Sequence, residues 1–230
     1  MEKSCVSVQE GYERWAPTYD RDPNPLLTLE ERQLKLIIPC LAGKRVLDLA
    51  CGTGRWLEWL IAAGASWGVG VDFSPAMLAA ARKKTDVRGR LVQADCRAIP
   101  FAHAVFDLVV CSFAVGHIPD LRSMAREVGR VTTASADVYV TDLHPLAYGQ
   151  GWHTGFRDNG EAVEIATWPR STREFLAPWL SAGFDYAQSV ECRFSEPERQ
   201  VFAQAGKGDL FEKYRTVPAV LVCHFVRPVR

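Results

Sequence analysis

Short apolar runs alternate with amphipathic stretches through the first two-thirds of the chain. Val46-Leu47-Asp48-Leu49, Trp67-Gly68-Val69-Gly70-Val71, Leu91-Val92-Gln93-Ala94, Val105 to Cys111 and Asp137 to Asp142 read as successive strands. The fourth run is almost continuously apolar, as a strand covered on both faces of a parallel sheet must be. Between the runs, Arg55 to Ala63, Pro75 to Lys84 and Leu121 to Val131 read as helices. Ser74-Pro75 supplies an N-cap followed by proline at the first helical position. Five β–α units in about a hundred residues predict an α/β fold.

The flanks read differently. Val8 to Asp20 carries Tyr12, Trp15 and Tyr19 at helical spacing, and Pro17, Pro23 and Pro25 then predict a loop. Helical periodicity resumes from Leu29 through Leu41, and Gly43 ends it. After the fifth strand, residues 143–170 are rich in glycine and predict an irregular insertion. Its aromatic residues Tyr148, Trp152, Phe156 and Trp168 argue against disorder, and a long insertion in a compact domain is usually functional. It is the expected substrate lid. Ser171-Thr172 then caps a helix from Arg173 to Ala182, Phe184 to Phe194 reads as a strand, Glu196 to Ala205 as a helix and Pro218 to Val226 as a last strand. One domain is expected, divided into an N-terminal helical lid (1–42), a cofactor-binding core (43–142), the lid insertion (143–170) and a C-terminal helix with strands (171–230).

The chemistry concentrates where the first strand ends. Gly52-Thr53-Gly54 permits a sharp turn and close approach of a ligand, and the helix start beyond it offers unpaired N–H groups. Asp72, at the end of the second strand, stands where a carboxylate grips ribose hydroxyls. A dinucleotide site needs a third glycine, and Trp56-Leu57 stands there instead, so the ligand is a nucleoside without a pyrophosphate. Ser112, Phe113 and His117 follow the fourth strand, at the sheet edge where ligands of doubly wound folds bind.

Val46 to Gly54 resembles the first motif of the class I S-adenosylmethionine-dependent methyltransferases, and Val69 to Leu78 resembles their second. Ile99-Pro100-Phe101 with Phe106-Asp107-Leu108-Val109 resembles a third stretch of the group, and Tyr12…Trp15-Ala16…Tyr19-Asp20 resembles the N-terminal lid of its small-molecule members. The resemblance implies a Rossmann-like, seven-stranded, mostly parallel sheet with helices on both faces, its two last strands antiparallel at one edge. It implies S-adenosylmethionine as cofactor, held by Tyr19, Asp48, Ala50, Cys51, Gly52, Gly54, Asp72, Phe73, Met77, Asp95, Cys96, Ser112, Phe113 and His117. Asp95 would meet the adenine amino group and His117 the methionine end.

Methyl transfer from a sulfonium needs alignment and a dry pocket rather than a metal. An aromatic lid supplies both, so Tyr12, Trp15, Tyr148 and Trp152 are the expected acceptor-binding residues. A hydroxyl acceptor gains from a base, and histidine is the natural one at neutral pH. His144, leaving the fifth strand, is the first choice and His153 the second. The same cofactor pocket would also serve a cyclase or lyase, or a non-catalytic binding protein.

Formal net charge is zero, so no nucleic-acid footprint or anionic-membrane contact is expected. Nor does an Asn-Pro-Pro-aromatic tetrapeptide follow the fourth strand. No apolar run approaches the roughly twenty residues of a membrane helix, and Met1-Glu2-Lys3 opens no signal segment. Seven scattered cysteines without a Cys-x-x-Cys pair predict reduced thiols, no metal site and a cytoplasmic protein. Cys51, Cys96 and Cys111 are expected at strand ends that face the ligand. The partner is a small-molecule acceptor, and the protein is a monomer or homodimer.

Overall fold

The computed structural model describes residues 4–229. Met1 to Lys3, on which the signal-segment expectation rests, and Arg230 lie outside the described residues. The chain runs β1 (Ser4–Val6), α1 (Val8–Trp15), α2 (Pro25–Ile37), β2 (Arg45–Leu49), α3 (Arg55–Ala62), β3 (Trp67–Asp72), α4 (Pro75–Ala81), β4 (Leu91–Gln93), β5 (Phe106–Ser112), α5 (Leu121–Val131) and β6 (Thr132–Leu143). It continues with α6 (Pro145–Gly149), β7 (Gly155–Asp158), β8 (Glu161–Ile165), α7 (Thr172–Ser181), β9 (Asp185–Cys192), α8 (Glu196–Gln204), α9 (Phe211–Tyr214) and β10 (Val220–Val226).

Seven strands form one sheet in the order β4-β3-β2-β5-β6-β10-β9. The first five are parallel, and β10 runs antiparallel to both β6 and β9 at one edge. Strand order reverses between β2 and β5, which opens a crevice at their C-terminal ends.

Side-chain alternation explains the layers. On β2, Val46 packs into one buried cluster while Leu47 and Leu49 enter the other; on β5, Leu108 and Val110 part from Val109 and Cys111 in the same way. The first cluster takes Leu29 and Leu34 of α2 and Trp56 and Leu60 of α3. The second takes Met124 and Val128 of α5 and Phe175 and Trp179 of α7. Each fully buried Leu or Val contributes about 1.5–3 kcal/mol, so two populated faces make the sheet the core of the domain.

Several boundaries differ from the sequence expectation for local reasons. The first helix stops at Trp15, since Pro17 carries no N–H with which to continue it, and Tyr19 falls in the turns beyond. The second begins at Pro25, not Leu29. The Asn24 side chain accepts from the Leu26 N–H at 3.0 Å, and Pro25 starts the helix rather than breaking a loop. That helix closes before Ile38, which is extended because Pro39 follows it. The fifth core strand starts at Thr132, directly after α5, with an irregular register against β5.

The largest departure lies in the insertion. Residues 143–170 are not irregular: β7 and β8 form an antiparallel hairpin, and β8 pairs in parallel with β1. Asn159 (φ 49°) and Gly160 (φ 87°) make its two-residue turn, which needs positive φ at both positions. The insertion thus supplies two strands of a three-stranded sheet that β1, near the N-terminus, completes. Arg14 of α1 clamps it by donating to Asp158 Oδ2 from Nε (3.0 Å) and Nη2 (2.8 Å).

Candidate functional site

The turn after β2 is wound tightly. Ala50 (φ 57°), Gly52 (φ 53°) and Gly54 (φ 77°) all lie in the left-handed region, and for Ala50 that is a strained conformation of the kind found beside ligands. The Gly52 N–H donates to Asp72 Oδ2 at 2.8 Å, and the Ser74 N–H donates to Oδ1 at 2.8 Å. Turn and second strand are therefore locked together at the crevice.

A cavity of about 220 Å³ occupies this edge. Its floor is the β2 turn with Asp48, Ala50, Cys51 and Gly52. One wall carries Asp72, Phe73 and Met77, and another Asp95 and Cys96. Ser112, Phe113 and His117 close the far side, and Tyr12 and Tyr19 of the N-terminal segment cover it. Of the expected cofactor residues, Gly54 alone is not in the lining. It caps α3 from behind, where an added Cβ would lie 3.5 Å from Val87. Cys111 is buried in the core and does not reach the cavity.

The electrostatics favour a zwitterionic or cationic guest. Burial raises Asp48 to about 7, opposed mainly by the 2.8 Å hydrogen bond from the Leu57 N–H. Burial also raises Asp72, against the N–H groups of Ser74 and Gly52. Neither carboxyl has a basic side chain hydrogen-bonded to it among the described residues. Asp95 differs: the Arg97 guanidinium grips both its oxygens and holds its pKa low. Arg55 shares the lining with Asp48, and its Nη2 donates to Glu30 Oε2 (2.8 Å) and Ser112 Oγ (3.2 Å). Burial, the largest single effect, works against the Arg55 charge, and Glu30, Tyr19 and Glu31 together outweigh it and raise its pKa. Glu30 is fully buried and also accepts from Trp56 Nε1 (3.1 Å) and Thr141 Oγ1 (2.9 Å).

Arg55 and Glu30 were missed in the sequence, though both leave a signal. A cation in the first turn of a helix opposes the helix dipole, so Arg55 requires a reason to be there. Glu30 interrupts the apolar stripe of Leu26, Leu29 and Leu34.

A second cavity of about 520 Å³ adjoins the first and shares Tyr12, Tyr19 and Phe113 with it. Trp15, Phe156, Leu26, Leu143 and Val163 give it an apolar wall, with His153, Thr154, Asn24 and Lys207 among its polar groups. Trp15 and Phe156 stack at 5.2 Å, 9° from parallel.

Three expected positions fall elsewhere. His144 lines neither cavity. It caps α6, where its Nδ1 accepts from the Leu146 N–H at 3.1 Å. Its Nε2 lies 3.4 Å from Glu191 Oε1 without a directed hydrogen bond. The nitrogen that would have to take a proton is thus already occupied. Trp152 packs between Tyr214 (4.5 Å) and Phe194 (6.2 Å) in the core. Tyr148 turns its hydroxyl to Asp142 Oδ1 at 3.2 Å rather than into either cavity.

Two kinds of comparison identify the chain. The family model "Methyltransferase domain" matches residues 46–135. A demethylmenaquinone methyltransferase of Clavibacter sepedonicus is 31% identical over 221 residues, covering 84% of this chain and 87% of its own length. The chain belongs to the class I S-adenosylmethionine-dependent methyltransferases. A second demethylmenaquinone methyltransferase, from Thermus thermophilus, is 39% identical over 113 residues, but the match spans only about half of that relative, 51%, and 47% of this chain. An S-adenosylmethionine-dependent methyltransferase structure from Listeria monocytogenes shares the fold at a TM-score of 0.70 and 21% identity, over 88% of this chain and all (100%) of that one. Family membership makes the chain an enzyme of small-molecule methyl transfer with S-adenosylmethionine as cofactor. Among the described residues, no helix of this methyltransferase is long and apolar enough to cross a membrane.

Proposed function

We propose that this methyltransferase binds S-adenosylmethionine in the smaller cavity and an apolar, ring-bearing acceptor in the larger one. The observation that carries the reading is that Tyr12, Tyr19 and Phe113 belong to both cavities. Two ligands seated there would meet across one aromatic wall.

The donor set fits the cofactor. Asp72, with both oxygens already oriented by N–H groups, faces the ribose hydroxyls, and Phe73, Asp95 and Cys96 border the adenine. Asp48 and Arg55 take the ammonium and carboxylate of the methionine end, which gives the raised Asp48 carboxyl the positive partner it lacks. When bound, the cofactor supplies an activated methyl on a cationic sulfur. Tyr12 stays a neutral phenol because burial raises its pKa well above 10, and burial pushes Tyr19 up to about 12. Their rings exclude water and present π faces to a cation.

For the acceptor, Trp15, Tyr12, Phe113 and Phe156 offer ring faces, and a quinone-type molecule suits them. The Clavibacter and Thermus relatives are named for demethylmenaquinone. His144 serves as a helix cap, and His153, on the exposed rim of the larger cavity, orients the acceptor.

The test is transfer of a radiolabelled methyl group to a panel of quinols, phenols, amines and phospholipids. Label in a quinol or phenol, with the acceptor KM raised by Phe156→Ala and the S-adenosylhomocysteine Kd unchanged, supports the reading. Label only in water-soluble amines would contradict it.

A further inference from the structure

His117 lies beside one of the three residues that the two cavities share. It lines the smaller one, and its ring meets Tyr12, which lines both, edge-on at 5.4 Å. Its Nδ1 lies 2.8 Å from the Ala166 carbonyl oxygen. A carbonyl only accepts, so Nδ1 carries the ring proton and Nε2 holds the free lone pair. Among the described residues nothing donates to Nε2. The imidazole is thus fixed in one tautomer by the lid insertion, with its basic nitrogen unused.

The loop bearing this histidine is braced. Arg170 donates from Nη1 to the Val115 carbonyl (2.8 Å) and from Nη2 to those of Ile118 (2.5 Å) and Pro119 (3.2 Å). Asp142, at the end of β6, accepts from the Gly116 N–H at 2.5 Å and from the Tyr148 hydroxyl. The charged and titratable groups around His117 are therefore Asp142, Tyr148, Tyr12 and Arg170. Asp142 favours an imidazolium once one forms, whereas burial, the larger effect, keeps the resting ring neutral. On the acceptor side, Trp15 lines the larger cavity, and its buried Nε1 has no hydrogen-bond partner among the described residues. An orphan donor of this kind calls for an oxygen atom on the guest.

We infer that His117 Nε2 is the general base of the reaction and that the acceptor atom is a hydroxyl oxygen on a planar ring, a phenol or enol. The inference rests on the two-cavity reading above. The acceptor O–H gives its proton to Nε2, and the oxygen electron pair forms the new O–CH₃ bond. The S–CH₃ bond breaks with its electrons going to sulfur, which leaves as a neutral thioether. The imidazolium then releases the proton to solvent.

The experiment uses the full chain with labelled histidine and 1-naphthol as probe. Nitrogen NMR of the S-adenosylhomocysteine complex should show His117 protonated at Nδ1. Adding 1-naphthol should shift its Nε2 resonance, whereas 1-methoxynaphthalene, which lacks the proton, should leave it in place. His117→Asn keeps a donor for Ala166 and removes Nε2. It should lower kcat about a hundred- to ten-thousand-fold, abolish the acid limb of the pH–rate profile below pH 6.5 and weaken S-adenosylhomocysteine binding far less than it lowers kcat. Equal shifts with both naphthalenes, no shift with either, or His117→Asn turnover at the wild-type rate would overturn the inference while the cofactor reading stands. Failure of the wild type to bind S-adenosylhomocysteine would instead remove the reading beneath it.

Discussion

Asp20 accepts a 2.6 Å hydrogen bond from the Thr53 hydroxyl, joining the segment after α1 to the middle of the glycine turn. Lys84 reaches the other Asp20 oxygen at 3.0 Å. The segment that carries Tyr19 is thereby fastened to the glycine turn, one residue from Tyr19. Thr53→Val preserves shape and deletes the bond. A hydrogen bond to a charged group contributes roughly 1.5–3 kcal/mol, and partial exposure of Asp20 reduces that. Thr53→Val should therefore weaken S-adenosylhomocysteine binding about tenfold, chiefly through a faster off-rate in stopped-flow fluorescence. An unchanged off-rate would show that this bond does not help retain the ligand.

Asp48 predicts the pH response. Its folded pKa of about 7 lies above the ordinary 3.8 of a free aspartate, so its contribution to stability is complete below about pH 4 and is lost as pH rises through about 7. Between pH 4 and 7 the apoprotein should lose stability relative to Asp48→Asn, by at most about 4 kcal/mol for roughly three units. Cofactor affinity should move oppositely. A cationic ligand favours the ionised carboxylate, so Kd for S-adenosylmethionine should tighten by up to about tenfold per pH unit below 7 and level off above it. Calorimetry from pH 5.5 to 8.5 checks this, and an equally steep dependence in Asp48→Asn would assign it to another group.

Arg55 and Glu30 form a buried pair, and their removal should be unequal. Arg55→Ala strands the Glu30 charge, leaving Trp56 and Thr141 as its donors among the described residues, and should cost about 3–5 kcal/mol of stability. The double variant Arg55→Met with Glu30→Gln should recover much of that loss, yet still bind S-adenosylmethionine weakly for want of a carboxylate partner. Denaturant melts and titration of both proteins separate the two effects. Wild-type affinity in the double variant would take Arg55 out of the cofactor site.

What could be read from the sequence follows from which interactions are local. The core strands, Ser74-Pro75 and the Ser171–Glu174 cap were legible because short apolar runs and capping residues are read from neighbours alone. The lid sheet was not, since β1 and β8 are separated by most of the chain and pair through backbone groups. The Asn159-Gly160 turn was visible but lost among nearby glycines. His144 misled because a strand end points toward the ligand edge in a parallel sheet, whereas here β10 lies alongside and the ring turns to cap α6. His117 was placed at the ligand edge, but the carbonyl that fixes its tautomer belongs to the lid, 49 residues on.

The central claim is that the cavity over the glycine turn holds S-adenosylmethionine through Asp72. Isothermal calorimetry with S-adenosylmethionine and S-adenosylhomocysteine on wild type and Asp72→Ala tests it most directly. The account predicts one site with micromolar affinity for both ligands in the wild type and none measurable in a folded Asp72→Ala protein. Absence of binding to clean wild-type protein, or undiminished binding to the variant, would contradict it.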